Sequence, residues 1–206
     1  MYICKNYITC GIVIDKCLSD KSFNEYFETY WSALEQCGID IHFDKESLKN
    51  ELMTASGGLT ENTGIAFSGG LLSHIYKTIL IQKKIYKLLS NKESFNNEKI
   101  NENSILKVLC LMHLSKIDMF VKNDKQFEIN NGKIYKFSNV DFTLKFGEWS
   151  ILKANNLGIS FTPYEFEAMK CFDNMEKSTN YFECPLSTIV RQSNELAYLM
   201  EKFENK

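Results

Sequence analysis

Two histidines carry the chemistry this sequence offers. His74 lies in SGGLLSHIYKTILI (residues 68–81) and His113 in NSILKVLCLMHLSKIDMF (residues 103–120), both runs otherwise strongly apolar. Two imidazoles held inside neighbouring helices are raw material for a metal site, because neutral imidazole is the commonest nitrogen ligand. On helical spacing His74 shares a stripe with Thr78, Ile81 and Ile85, and His113 falls in line with Leu106, Leu109, Cys110 and Ile117. Both rings should therefore point inward. Each also has a plainer reading, that of a core histidine satisfied by hydrogen bonds. Asn194 lies between Val190 and Ala197 on an inward stripe near the C-terminal end, and a buried amide needs partners. Lys116 follows His113 by three residues. An ammonium beside two imidazoles makes an electropositive place that would suit an anion; the plainer alternative is a lysine snorkelling to solvent at the end of its helix.

The elements that must hold these groups can be read from spacing and punctuation. Met1 to Ile14 alternates β-favouring and polar residues and reads as a strand, and Asp15 to Lys21 reads as a turn. Ser22 with Glu25 forms a capping box for a first helix, with Phe23, Tyr26, Phe27, Tyr30, Trp31 and Leu34 at helical spacing and Gly38 as the stop. A second helix starts at Asp44 or Lys45. The glycine-rich SGGLTENTG (residues 56–64) is a plain loop or a phosphate cradle, although no Gly-Lys-Ser/Thr follows it. A long helix from Gly69 to Leu89 carries His74, and its apolar residues occupy two faces, as in a central helix. A polar connection, residues 91–103, leads to the helix bearing His113. Asn131-Gly132 sits between β-favouring runs in QFEINNGKIYKF (residues 126–137) and signals a hairpin, which alternating Val140, Phe142, Leu144 and Phe146 would extend. Helices are expected again over Gly147 to Asn155, from the Thr162-Pro163-Tyr164-Glu165 capping box to about Phe172, and from Pro185 onward, with Leu186, Ile189, Val190, Ala197, Met200 and Phe203 inward. The loop from Asp173 to Cys184 is a lid or a tether.

The motifs GGLLSH (residues 69–74) and LMHLSKI (residues 111–117) resemble those of the HD-domain metal-dependent phosphohydrolases. In that family a first helix carries a histidine after Gly-Gly-Leu, and a second carries a His-Asp pair followed shortly by lysine. The order of FGEWSILKAN, TPYEFEAMKCF and PLSTIVRQSNELAYLMEKFE is similar to that of small HD proteins often found in phages and prophages, so the likeness covers Met53 to Glu204. It implies a mainly α, HD-domain-like helical bundle with a small β-hairpin or sheet insertion. Residues 1–52 then form an N-terminal strand and helix extension packing on the core, and residues 53–206 the HD-like domain.

The departures decide what chemistry is expected. His113 is followed by Leu114 where the family has aspartate, Asn194 stands in SNELA where the family has aspartate, and Phe146 and Phe172 fall where further histidines would be. His74, His113 and Asn194 are then vestigial, and no cofactor or metal is expected. Hydrolysis at such a site needs carboxylates to hold a hard, water-bearing cation. The resemblance implies a catalytically inactive domain, a viral or prophage accessory protein that binds a nucleotide-like anion at Lys116 and His74 or else a protein partner. An active phosphohydrolase (nucleotidase or phosphodiesterase) with a rearranged site is the alternative, using His74, His113 and Asp118 or Glu148 and a divalent metal (Mn, Mg or Fe). A purely structural component is a third.

Composition bounds these readings. The chain of 206 residues is 44% hydrophobic and 13% aromatic, enough for one sizeable core. A net charge of −2, with lysines interleaved among acids, gives no electrostatic footprint for nucleic acid. Seven cysteines without a C-x-x-C pair indicate neither a disulfide framework nor a zinc knuckle, which suits a reducing cytoplasm. No stretch reads as a signal peptide or a membrane helix.

Overall fold

The computed structural model describes residues 19–39, 44–90, 101–138, 143–170 and 184–204. The expected N-terminal strand, the loop lid or tether, and Phe172 lie outside them. The chain is mainly helical, and among the described residues there is one small antiparallel sheet of two strands.

Helix α1 (Asp20–Gln36) begins one turn earlier than the Ser22 box suggests. Ser19 is the cap, its hydroxyl accepting from the Ser22 amide, so Asp20 and Lys21 are helical rather than turn residues. The buried residues Phe23, Phe27, Tyr30 and Leu34 follow each other at intervals of three and four, one stripe of the helix. Each such side chain contributes about 1.5–3 kcal/mol on burial. Helix α2 (Lys45–Thr54) is capped by Asp44, which accepts from Glu46. Leu48 and Leu52 of α2 and the α1 stripe belong to the same contiguous core as Leu72, Ile75, Ile105 and Leu109.

Helix α3 (Gly70–Ser90) runs through the middle, packed against α1, the later helix α4 (Glu102–Leu111) and α9 (Pro185–Glu204). Its inner face carries Leu71, Leu72, Ile75 and Ile79 but also His74, Thr78 and Gln82, all buried. Leu88, expected on an apolar face, is 71% exposed.

The apolar run of residues 103–120 does not form one helix. Helix α4 stops at Leu111, residues 112–114 make a turn, and α5 (Ser115–Met119) follows, a break the sequence does not announce with glycine or proline. The break is held from outside. Ser150, on α7 (Phe146–Asn156), donates its hydroxyl to the Met112 carbonyl at 2.9 Å and accepts from the Ser115 amide at 3.0 Å. One hydroxyl thus satisfies both backbone groups that the interruption would orphan inside the core.

Strand β1 (Phe120–Lys122) pairs antiparallel with β2 (Tyr135–Phe137), Phe120 opposite Phe137. The hairpin expected around Asn131-Gly132 is displaced, because Gln126–Asn130 form a short helix, α6. Gly132, at φ 81°, donates to Ile129 and so ends that helix rather than turning a hairpin. A residue at left-handed φ serves a helix end as readily as a tight turn, which is why Asn-Gly was ambiguous. Leu144 is not in a strand and Phe146 opens α7, while Val140 and Phe142 lie outside the described residues. The Thr162–Glu165 box is present at α8 (Pro163–Lys170), each residue bonding the other's backbone.

The glycine-rich loop is a fastening, not a cradle. Its glycine amides are spent internally: Gly57 on Ile65, Gly58 on the Ser56 hydroxyl, Gly64 on Glu61, Gly69 on Ala55 and Gly70 on Phe67. The Leu59 carbonyl accepts from Tyr135, tying the loop to β2. A Cβ at Gly70 would stand 2.1 Å from the Ile65 carbonyl oxygen, so no larger residue fits there.

Candidate functional site: a buried histidine–asparagine–glutamate cluster

The three inward polar residues read from the sequence meet at one point. The rings of His74 on α3 and His113 in the α4–α5 turn lie 5.1 Å apart between centroids. Asn194 on α9 places its Oδ1 2.7 Å from Nε2 of His74 and 3.0 Å from Nε2 of His113. An amide oxygen only accepts, so each Nε2 carries its proton and donates.

Behind His74 stands a residue that the sequence reading missed. Glu201 Oε2 is 2.9 Å from His74 Nδ1, and both side chains are essentially inaccessible to water. With Nε2 already protonated, a single proton is shared between Nδ1 and the carboxylate. The pair is then neutral as a whole, whether as imidazolium and carboxylate or as imidazole and acid. Such a pair tolerates burial where either charge alone would not. The signal was available: Glu201 follows Asn194 by seven residues, two helical turns, and so lies on the same face. Met200 and Phe203, expected inward, are 45% and 69% exposed. The true inner stripe of α9 therefore runs through Val190, Asn194, Ala197 and Glu201.

Lys116 completes the cluster. Its ammonium donates to the Gly57 carbonyl at 3.1 Å and to the Tyr198 hydroxyl at 2.8 Å, and lies over the Tyr198 ring, which packs 4.2 Å from His74. At 8% exposure it does not snorkel. Among the described residues no carboxylate lies within ion-pair distance of it. Burial, with the nearby Lys116 ammonium and His74 adding to it, holds His113 well below the usual histidine range, against the opposing pull of the Asn194 hydrogen bond.

That depression has a sign. Above the ordinary histidine value of about 6.5 His113 is neutral in folded and unfolded chains alike. Below it the unfolded chain takes up a proton that the folded one refuses. Stability is therefore expected to fall as the pH drops from about 7 to about 5.5, by up to about 1.4 kcal/mol per pH unit for this group. Urea midpoints across that range should fall more steeply for the wild type than for His113→Leu; parallel curves would remove His113 as the cause.

The other candidates lie elsewhere. Asp118 pairs with Lys153 at 2.7 Å and, with Asp44, Glu51 and Leu114, lines a cleft of about 300 Å³ between α2, α5 and α7. Glu148 accepts from the Lys145 amide and pairs with Lys170. Phe146 packs against Phe120 and Phe137. Among the described residues no group of three or more His, Cys, Asp or Glu is arranged to hold a metal ion. The donor set at the histidines does not fit one either, since the amide oxygen fills the space between the two Nε2 atoms. Two of the described thiols are equally unsuited to chemistry: burial pushes Cys37 up to about 12 and Cys110 well up, keeping both protonated.

No protein-family model, no curated protein and no solved structure matches this chain. Among the described residues no helix is long and apolar enough to cross a membrane.

Proposed function

We propose that the chain is a non-catalytic, HD-like binding domain in which the place of a metal has been taken by an internal polar clamp. The reading rests on one observation, the Asn194 oxygen seated between two imidazole Nε2 atoms. In a hydrolytic site those nitrogens would hold a Lewis acid and leave a position for water. Here they donate to an amide that brings no negative charge. Glu201 on the outer nitrogen of His74 corresponds to the carboxylate that commonly orients a metal-binding histidine from behind. The clamp joins α3, the α4–α5 turn and α9, the three elements that the resemblance makes the bearers of the metal site.

On this reading the function is recognition. Lys116, a nearly buried ammonium without a carboxylate partner among the described residues, supports an anionic ligand such as a nucleotide-like phosphate. A protein partner of the kind a phage or prophage accessory domain would meet is the other form it takes. Melting curves with and without Mn²⁺, with assays on simple phosphomonoesters and phosphodiesters, test the central claim. The expected result is no metal-dependent rise in melting temperature and no hydrolysis. A stoichiometric metal retained through purification, or metal-dependent turnover, would overturn it.

A further inference from the structure

The outer face of α9 is apolar where its inner face is polar. Leu196, Leu199 and Met200 occupy adjoining positions on one side of the helix and are 42%, 50% and 45% exposed, while Asn194 and Glu201 on the opposite side are buried. On the same side one turn or more earlier, Ile189 is only 6% exposed, so the face is covered at its start and exposed at Leu196, Leu199 and Met200. Glu195 and Lys202 lie seven residues apart along one edge of the exposed patch; Glu195 pairs with Arg191 one turn earlier on its own helix at 3.3 Å, and Lys202 has no ion-pair partner among the described residues.

We propose that this patch is where a second copy of the chain docks, with the two α9 helices antiparallel. A dyad between antiparallel helices brings a given edge of one helix against the same edge of the other. Glu195 of each copy then faces Lys202 of the other, twice, while Leu196 of each packs on Leu199 of the other between the two ion pairs. A parallel pairing would set this edge against the opposite one, which carries Met200, and would match no charges. The antiparallel arrangement is thus the one in which apolar contact and charge agree. The patch is small, and the dimer belongs with weak, transient associations. This surface lies on the side of α9 away from the polar clamp, so the proposal does not depend on what the clamp does.

Sedimentation velocity over a concentration series at low salt tests it, with Glu195→Lys and Lys202→Glu as variants. Each reversal sets like charges opposite each other and is expected to weaken dimerisation roughly tenfold, as the loss of two exposed pairs and the gain of repulsion imply. The double variant, and equally a mixture of the two single variants, is expected to recover the wild-type constant. Leu199→Asp is expected to abolish the dimer. A wild-type chain that stays monomeric throughout, a dimer indifferent to Leu199→Asp, or single reversals that mixing does not rescue would each overturn the proposal.

Discussion

Replacing His74 by leucine is expected to cost about 3–5 kcal/mol, the loss that follows when one member of a buried charge-sharing pair is removed. For a chain of this size that lowers the melting temperature by roughly 6–20 °C. The reason lies in what stays behind. Without the ring, Glu201 faces an apolar side chain at 1% exposure and Asn194 loses its shorter hydrogen bond, so desolvated groups remain with less to offset them. His113→Leu should cost less, because the Asn194 oxygen keeps the donor on His74. Exchanging His74, His113, Asn194 and Glu201 together for leucine should recover most of the loss, since a fully apolar replacement leaves no orphan. Urea unfolding of the three variants checks the ordering. A His74→Leu chain as stable as the wild type would show that the cluster does not hold the fold.

The second large effect is a gain. Asn194→Asp would set a carboxylate between two imidazoles, one of which, His74, is already backed by Glu201, giving three donors from α3, the α4–α5 turn and α9. The variant is expected to bind Zn²⁺ or Mn²⁺. With free metal at about 100 times the dissociation constant, linkage stabilises the fold by about 2.7 kcal/mol, which raises the melting temperature by roughly 5–10 °C. The wild type should show no such rise. Elemental analysis with paired melts decides it. A variant that takes up no metal would mean that the histidines are not disposed as a former ligand pair, and the HD-like reading would lose its main support.

How far the sequence reached is clearest at these same residues. His74, His113 and Asn194 were placed by helical spacing, which works where an apolar run fixes a helix face and a polar residue interrupts it. Glu201 escaped because a glutamate near a charged helix end reads as solvated, whereas Met200 and Phe203 beside it read as core. Hydrophobicity ranked the neighbours wrongly by one helical step because the inner face of α9 is polar. The break at His113 was hidden for a different reason. Its cause is the Ser150 hydroxyl, which belongs to a helix 35 residues away and leaves no mark in the interrupted segment. Asn131-Gly132 failed through degeneracy, one backbone conformation serving two kinds of ending.

The polar clamp also imposes an order on synthesis. His74 finds its partners 120 and 127 residues further along the chain, so its ring is enclosed by groups made long after it. At about 5–20 residues per second, a delay of 127 residues is roughly 6–25 s. During that time α3 has a histidine on its inner face and nothing to pair with it, and contacts so distant in sequence are slow to form once their partners exist. The middle of this molecule is therefore among the last parts to become native. Until α9 is made, the two groups that bond the His74 ring do not exist, and its enclosure has to wait for them.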